Sequence, residues 1–122
     1  MLTKVEITNF KNFKSKFTFD LNNVKNFEFN PECVVNSVIN TALIYGHNGV
    51  GKSNLGFAIF ELVSHLTDKN GGSKFYNNYL NAGSSKKMAT FKYEFKFDTD
   101  IVIYEYSKTD HETIVKESLI IN

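Results

Sequence analysis

Gly46-His47-Asn48-Gly49-Val50-Gly51-Lys52-Ser53 places glycine, lysine and serine at the spacing G-x-x-x-x-G-K-[ST]. This spacing suits an anion. A loop that wraps phosphate oxygens must converge its backbone N–H groups on them. Side chains obstruct that approach and the backbone takes unusual angles, which favours Gly46, Gly49 and Gly51. A helix beginning at Lys52 would point its N-terminus at the same anion, adding roughly half a positive charge. Lys52 supplies a full charge for the β- and γ-phosphates, and the Ser53 hydroxyl is suited to ligate Mg²⁺. From average residue frequencies, a chance match in a chain this long is expected about once in a few hundred sequences. The competing reading is a glycine-rich turn ahead of an ordinary helix.

Such a loop needs a strand before it and a helix after it. Thr41-Ala42-Leu43-Ile44-Tyr45 is a compact apolar run and predicts a fully buried strand. Lys52 to Leu66 predicts a helix with Leu55, Ile59, Leu62, Val63 and Leu66 on one stripe. The polar run Thr67 to Lys74, with Gly71-Gly72, would end it. Upstream, Val5 to Phe10 reads as a strand and Lys11 to Ser15 as a turn. Phe17, Phe19 and Leu21 alternate with polar residues as a second strand, giving an N-terminal antiparallel hairpin. Asn22 to Asn40, with Pro31 and interrupted by Phe27 and Phe29, reads as a loop with one short strand. Downstream, a loop extends to Lys87, pinned by Tyr76, Tyr79 and Leu80. Phe91 to Phe97, Ile101 to Tyr106 and Ile114 to Ile121 then form an antiparallel meander, with turns at Asp98-Thr99-Asp100 and Lys108 to Glu112. The expected fold class is α/β to α+β, a P-loop NTPase N-terminal lobe: a mixed sheet, one main helix after the loop, and the meander.

Composition bounds the function. The chain has 122 residues, 42% hydrophobic and 15% aromatic, enough for one packed core. Its net charge of +1 argues against a globally basic nucleic-acid binder. All 14 basic residues are lysine, so the chain offers no arginine for phosphoryl transfer. A single cysteine, Cys33, excludes an internal disulfide and a cysteine-rich zinc site. No apolar stretch approaches the ~20 residues that span a bilayer, and the N-terminus lacks a signal-peptide pattern. A cytoplasmic location without membrane partners is the expectation.

The remaining chemical side chains have plainer readings. His47 occupies a free position of the motif and reads as a solvent-facing spacer. His65 falls near the helix end, where a protonated imidazole complements the dipole. His111 reads as a solvated turn residue, and three scattered histidines do not suggest a metal cluster. Phe10 and Phe13 read as core, as does the stripe Phe91, Tyr93, Phe95 and Phe97. Lys11, Lys14, Lys16, Lys86 and Lys87 read as a solvated face rather than a DNA contact.

Asn48-Gly49-Val50-Gly51-Lys52-Ser53-Asn54-Leu55 resembles the ABC-type subclass of P-loops, in particular the SMC/RecF/OLD-like ATPase heads. The opening Val5-Glu6-Ile7-Thr8-Asn9-Phe10-Lys11-Asn12-Phe13 resembles the strand and turn that begin those heads. The meander, ending in Ile114-Val115-Lys116-Glu117-Ser118-Leu119, is similar to the antiparallel region of bacterial AAA-type members. The resemblance implies an ATPase of the dimerising kind, with ATP and Mg²⁺ held between two heads. Members act in DNA repair, chromosome organisation and phage defence. It further implies that Lys11 and Asn12 lie near the nucleotide and that Asn54 belongs to the nucleotide-binding set.

The chain departs from that pattern. A Walker B strand needs four apolar residues followed by Asp, but Ile101-Val102-Ile103-Tyr104-Glu105 lacks the Asp, so Glu105 reads as a surface strand residue. No signature serine-glycine motif follows. The expectation is therefore that residues 1–122 are a partial ATP-binding head that binds nucleotide without hydrolysing it efficiently. The alternative is a non-catalytic interaction or regulatory module with a structural P-loop.

Overall fold

The computed structural model describes residues 1–26, 28–67 and 76–122. Phe27 and most of the run expected to end the helix lie outside them. The described residues form a small α+β domain in which one helix packs on an antiparallel sheet. The strands are β1 (Leu2–Thr8), β2 (Phe17–Asp20), β3 (Val34–Val35), β4 (Val38–Ile39), β5 (Ala89–Phe97), β6 (Asp100–Lys108) and β7 (Ile114–Ile121). The helix α1 is Lys52–Thr67, and a 3₁₀ turn covers Pro31–Cys33. Five strands make one sheet in the order β2-β1-β5-β6-β7, and β3 pairs with β4 separately.

The N-terminal hairpin and the meander form as the alternation predicts. β1 pairs antiparallel with β2, bringing Val5 opposite Phe19. β5 and β6 are in register from Ala89↔Lys108 to Phe97↔Asp100. β1 closes the gap between hairpin and meander by pairing with β5, Ile7 opposite Phe91. Period-2 geometry puts Val5, Ile7, Phe91, Tyr93, Tyr104 and Tyr106 on one buried face. The opposite face carries half-buried ion pairs such as Lys92 with Glu6 and Lys4 with Glu94.

The described residues of the segment 22–40 are mostly irregular, as expected, but hold two very short strands rather than one. Their turn has positive φ at both Asn36 (52°) and Ser37 (63°), the requirement of the tight hairpin turns whose twist matches the strands.

One expectation fails and another holds in part. Thr41 to Tyr45 is not a buried strand: all five residues are exposed, Leu43 and Tyr45 each to 87%, with no ladder partner among the described residues. A buried strand needs neighbours on both edges. The five-stranded sheet runs entirely antiparallel and does not admit this segment, so the mixed sheet is not formed. The helix boundaries agree with expectation, and its packed face agrees in part. Leu55 is buried and Ile59 and Leu62 pack against the core, but Val63 and Leu66 are exposed and Ala58 and Glu61 are buried in their stead. The aromatic layer explains the rotation. Tyr93 donates its hydroxyl to the Ala58 carbonyl at 2.6 Å, so the helix must present a small residue there.

Candidate functional site

The loop 46–51 leads directly into α1. Gly49 and Gly51 have φ of 86° and 106°, a region that L side chains rarely adopt. Gly51 is constrained twice, because a Cβ there would stand 2.3 Å from the Asn12 amide nitrogen. A Cβ on Gly49 would meet no atom within 4 Å, leaving that side of the loop open. The first intrahelical bond reaching back to the loop is Leu55 N–H to the Gly51 carbonyl. The earlier N–H groups of the first turn are those a helix leaves without an internal acceptor. No acidic residue sits in that turn to neutralise its positive potential.

Lys52 curls back over the loop. Its ammonium donates to the Gly46 and His47 carbonyls, each at 2.7 Å. The cation thus sits inside the arc of the glycine loop, held only by neutral acceptors that an anion can replace. Asn48, Gly49, Gly51, Lys52, Ser53 and Asn54 line an open depression of about 200 Å³. Ser53 is exposed beside it. Gly46, His47 and Val50 are exposed as well but do not line the depression.

The β1 turn reaches this loop from the other side. Phe10 and Phe13 exchange backbone hydrogen bonds around Lys11-Asn12, with Lys11 at φ 49°. Asn12 donates to the Val50 carbonyl at 3.3 Å and accepts from the Asn54 amide at 2.8 Å. Asn12 therefore bridges the loop and the first turn of α1. Lys11 turns the opposite way. Its ammonium donates to the Asn77 carbonyl at 3.2 Å and lies 5.5 Å from the Phe10 and Phe57 ring centres. Burial lowers the Lys11 pKa. Of the two turn residues implied near a nucleotide, Asn12 touches the loop and Lys11 does not.

At the far end of α1 lies a cluster that sequence reasoning missed. Glu61 and Lys108 are 2% and 3% exposed and pair at 2.6 Å. Tyr79 donates to the same Glu61 oxygen at 3.0 Å. Lys108, expected in a turn, is instead the last residue of β6, and its parity with Tyr104 and Tyr106 turns it inward. That parity was the available signal.

His65 stacks on Tyr106 at 4.0 Å and hydrogen-bonds the Tyr104 hydroxyl at 2.6 Å. It is a packed ring rather than the protonated dipole partner expected. Burial, aided by the nearby Lys108 charge, lowers its pKa, partly offset by Glu117 and Glu61. His111 stacks on Tyr76 at 4.8 Å rather than standing free in solvent. Glu105 is an exposed residue of β6, as its sequence context indicated.

Among the described residues, no group of three or more His, Cys, Asp or Glu is arranged to hold a metal ion. No described helix is long and apolar enough to cross a membrane. No protein-family model matches the chain, and no curated protein matches it at a significant level.

Proposed function

We propose that the chain binds a nucleoside triphosphate with Mg²⁺ through residues 46–53, as the ATP-binding lobe of an ABC-type head of the SMC/RecF/OLD-like kind. One observation carries the reading: the Lys52 ammonium rests on the Gly46 and His47 carbonyls inside a glycine arc at the start of a 16-residue helix. Carbonyl oxygens alone do not neutralise an ammonium, so an entering phosphate gains a full counter-charge there. Backbone N–H groups of Asn48 to Ser53 take the remaining oxygens. The exposed Ser53 hydroxyl fits a hard, oxygen-seeking cation only together with phosphate oxygens and water, which is the usual way Mg²⁺ is held. Bound Mg²⁺ would neutralise charge on the phosphates.

The reading is one of binding without turnover by this chain alone. No carboxylate lines the loop's depression among the described residues, and the chain has no arginine. Hydrolysis would draw its acidic residues from elsewhere, with a second head in trans, in a bacterial protein serving DNA maintenance or phage defence. The exposed run 41–45 and the outward Phe60, Val63 and Leu66 are apolar surface of the kind that further structure covers.

Isothermal titration calorimetry of the chain with Mg-ATP tests the proposal. Saturable binding that Lys52→Ala abolishes is expected, with turnover far below the ~1 s⁻¹ ordinary for phosphoryl transfer. Equal binding by the Lys52→Ala variant would remove the site from consideration.

A further inference from the structure

The five-stranded sheet ends on two unlike edges. β2 is four residues long, whereas β7 runs for eight and is exposed along its whole length. Short edges resist further pairing, and long apolar ones invite it. Ile114, Val115, Leu119, Ile120 and Ile121 supply the apolar surface, and no proline interrupts them. Among the described residues, β6 is the sole strand paired with β7.

The register shows which backbone groups remain to be used. Ile101 and Asn122 exchange both backbone hydrogen bonds, each at 2.9 Å. By the alternation of antiparallel ladders, Asn122, Ile120 and Ser118 turn their N–H and C=O toward β6. Ile121, Leu119 and Glu117 turn theirs outward, toward no strand of the described residues. The irregular step of the ladder lies at the other end of β7, between Ile114 and Lys116.

Charge then selects an occupant and a register. A second β7 can lie antiparallel to the first about a two-fold axis centred on one residue. Centring on Lys116 sets two ammonium groups opposite each other, and centring on Glu117 sets two carboxylates so, both unfavourable. Centring on Ser118 avoids both clashes. Glu117 then faces Leu119 of the second copy, Lys116 faces Ile120, and Val115 faces Ile121. Centres beyond Ser118 shorten the overlap, because β7 ends at Ile121. The Glu117 carboxylate accepts from the Tyr104 hydroxyl and lies 3.5 Å from His65, which draws it back over β6 and away from the edge.

We propose that β7 is the interface of a two-fold dimer of this chain, its two sheets joined by antiparallel β7–β7 pairing centred on Ser118. The pairing uses no residue of the loop 46–53, so it stands or falls apart from the nucleotide reading.

Sedimentation equilibrium of the full chain without nucleotide tests it. The expected mass is twice the 13.9 kDa of one chain, falling toward one chain on dilution. Lys52→Ala should dimerise as the wild type does. Leu119→Glu sets a carboxylate opposite Glu117 at both symmetric contacts and should weaken dimerisation about tenfold. Leu119→Lys sets an opposite charge there and should not. Leu119→Pro removes an outward N–H while leaving the ladder to β6 intact, and should give a monomer. Circular dichroism checks that each variant is folded, and the Glu and Lys variants decide should the proline variant not fold. Ser118→Cys in a Cys33→Ser background should oxidise to a disulfide-linked dimer, because a non-hydrogen-bonded pair brings Cα atoms to about 4.5 Å. A wild type that stays monomeric at every concentration overturns the proposal. So does association that folded Leu119→Glu leaves at wild-type strength, or that Leu119→Lys weakens as much as Leu119→Glu.

Discussion

The two ends of α1 are built on opposite principles. Its N-terminal end is open: glycines at positive φ, exposed motif residues, and a lysine held by two carbonyls. Its C-terminal half is closed, with Glu61 on Lys108 and Tyr79, and His65 stacked on Tyr106. The first end gives up contacts to leave room for a ligand. The second spends buried charge on fixing the helix against β6. Ligand chemistry and stability should therefore separate along one helix, and substitutions can test that separation.

The largest stability effect is expected at the closed end. Lys108→Ala leaves the Glu61 carboxylate buried without its cation, a situation that costs about 3–5 kcal/mol. Urea denaturation should show this loss, and the double variant Glu61→Leu/Lys108→Met should recover most of it. A loss under 1 kcal/mol would mean that the pair does not anchor the helix.

Next comes the hydroxyl of Tyr93. Tyr93→Phe removes the bond to the Ala58 carbonyl and the contact with the Tyr106 hydroxyl at 3.2 Å. A destabilisation of about 1–1.5 kcal/mol is expected from one buried hydrogen bond.

A smaller, pH-dependent effect belongs to His65, which faces Lys108, Glu61, Glu117 and Tyr104. Its pKa in the fold lies below the ordinary 6.5, so the unfolded chain binds more protons in the window just beneath that value. Stability from this group is present above pH 6.5 and falls as the pH drops through the window toward the lowered folded value. His65→Phe should flatten that slope in denaturation measured across the window; an unchanged slope would assign it to other groups.

At the open end the expectation reverses. Lys52→Ala should change stability without ligand by under about 0.5 kcal/mol, as for a surface residue outside the core network.

How much of this was legible follows the same division. Around the loop, the positive φ at Gly49 and Gly51 and the helix start at Lys52 were legible from spacing, because they answer to a local backbone requirement, whereas the strand expected before Gly46 is not formed. The sheet strands followed from period-2 alternation in Phe91 to Phe97 and from the β-branched and aromatic run Ile101 to Tyr106. Thr41 to Tyr45 was misread because apolarity signals burial only where partner strands exist, and pairing is a tertiary matter. The helix face was read only in part: Leu55, Ile59 and Leu62 pack on the core as expected, but Val63 and Leu66 outweigh Ala58 and Glu61 in any hydrophobic count. Glu61 turns inward for a lysine 47 residues away, a partner no local window contains.

The measurement that bears most directly on the phosphate cradle is the stability of wild type and Lys52→Ala with and without Mg-ATP. At 100 times its dissociation constant for the wild type, the nucleotide should stabilise that protein by about 2.7 kcal/mol and leave Lys52→Ala unmoved. No gain in the wild type, or the same gain in both proteins, would contradict the account.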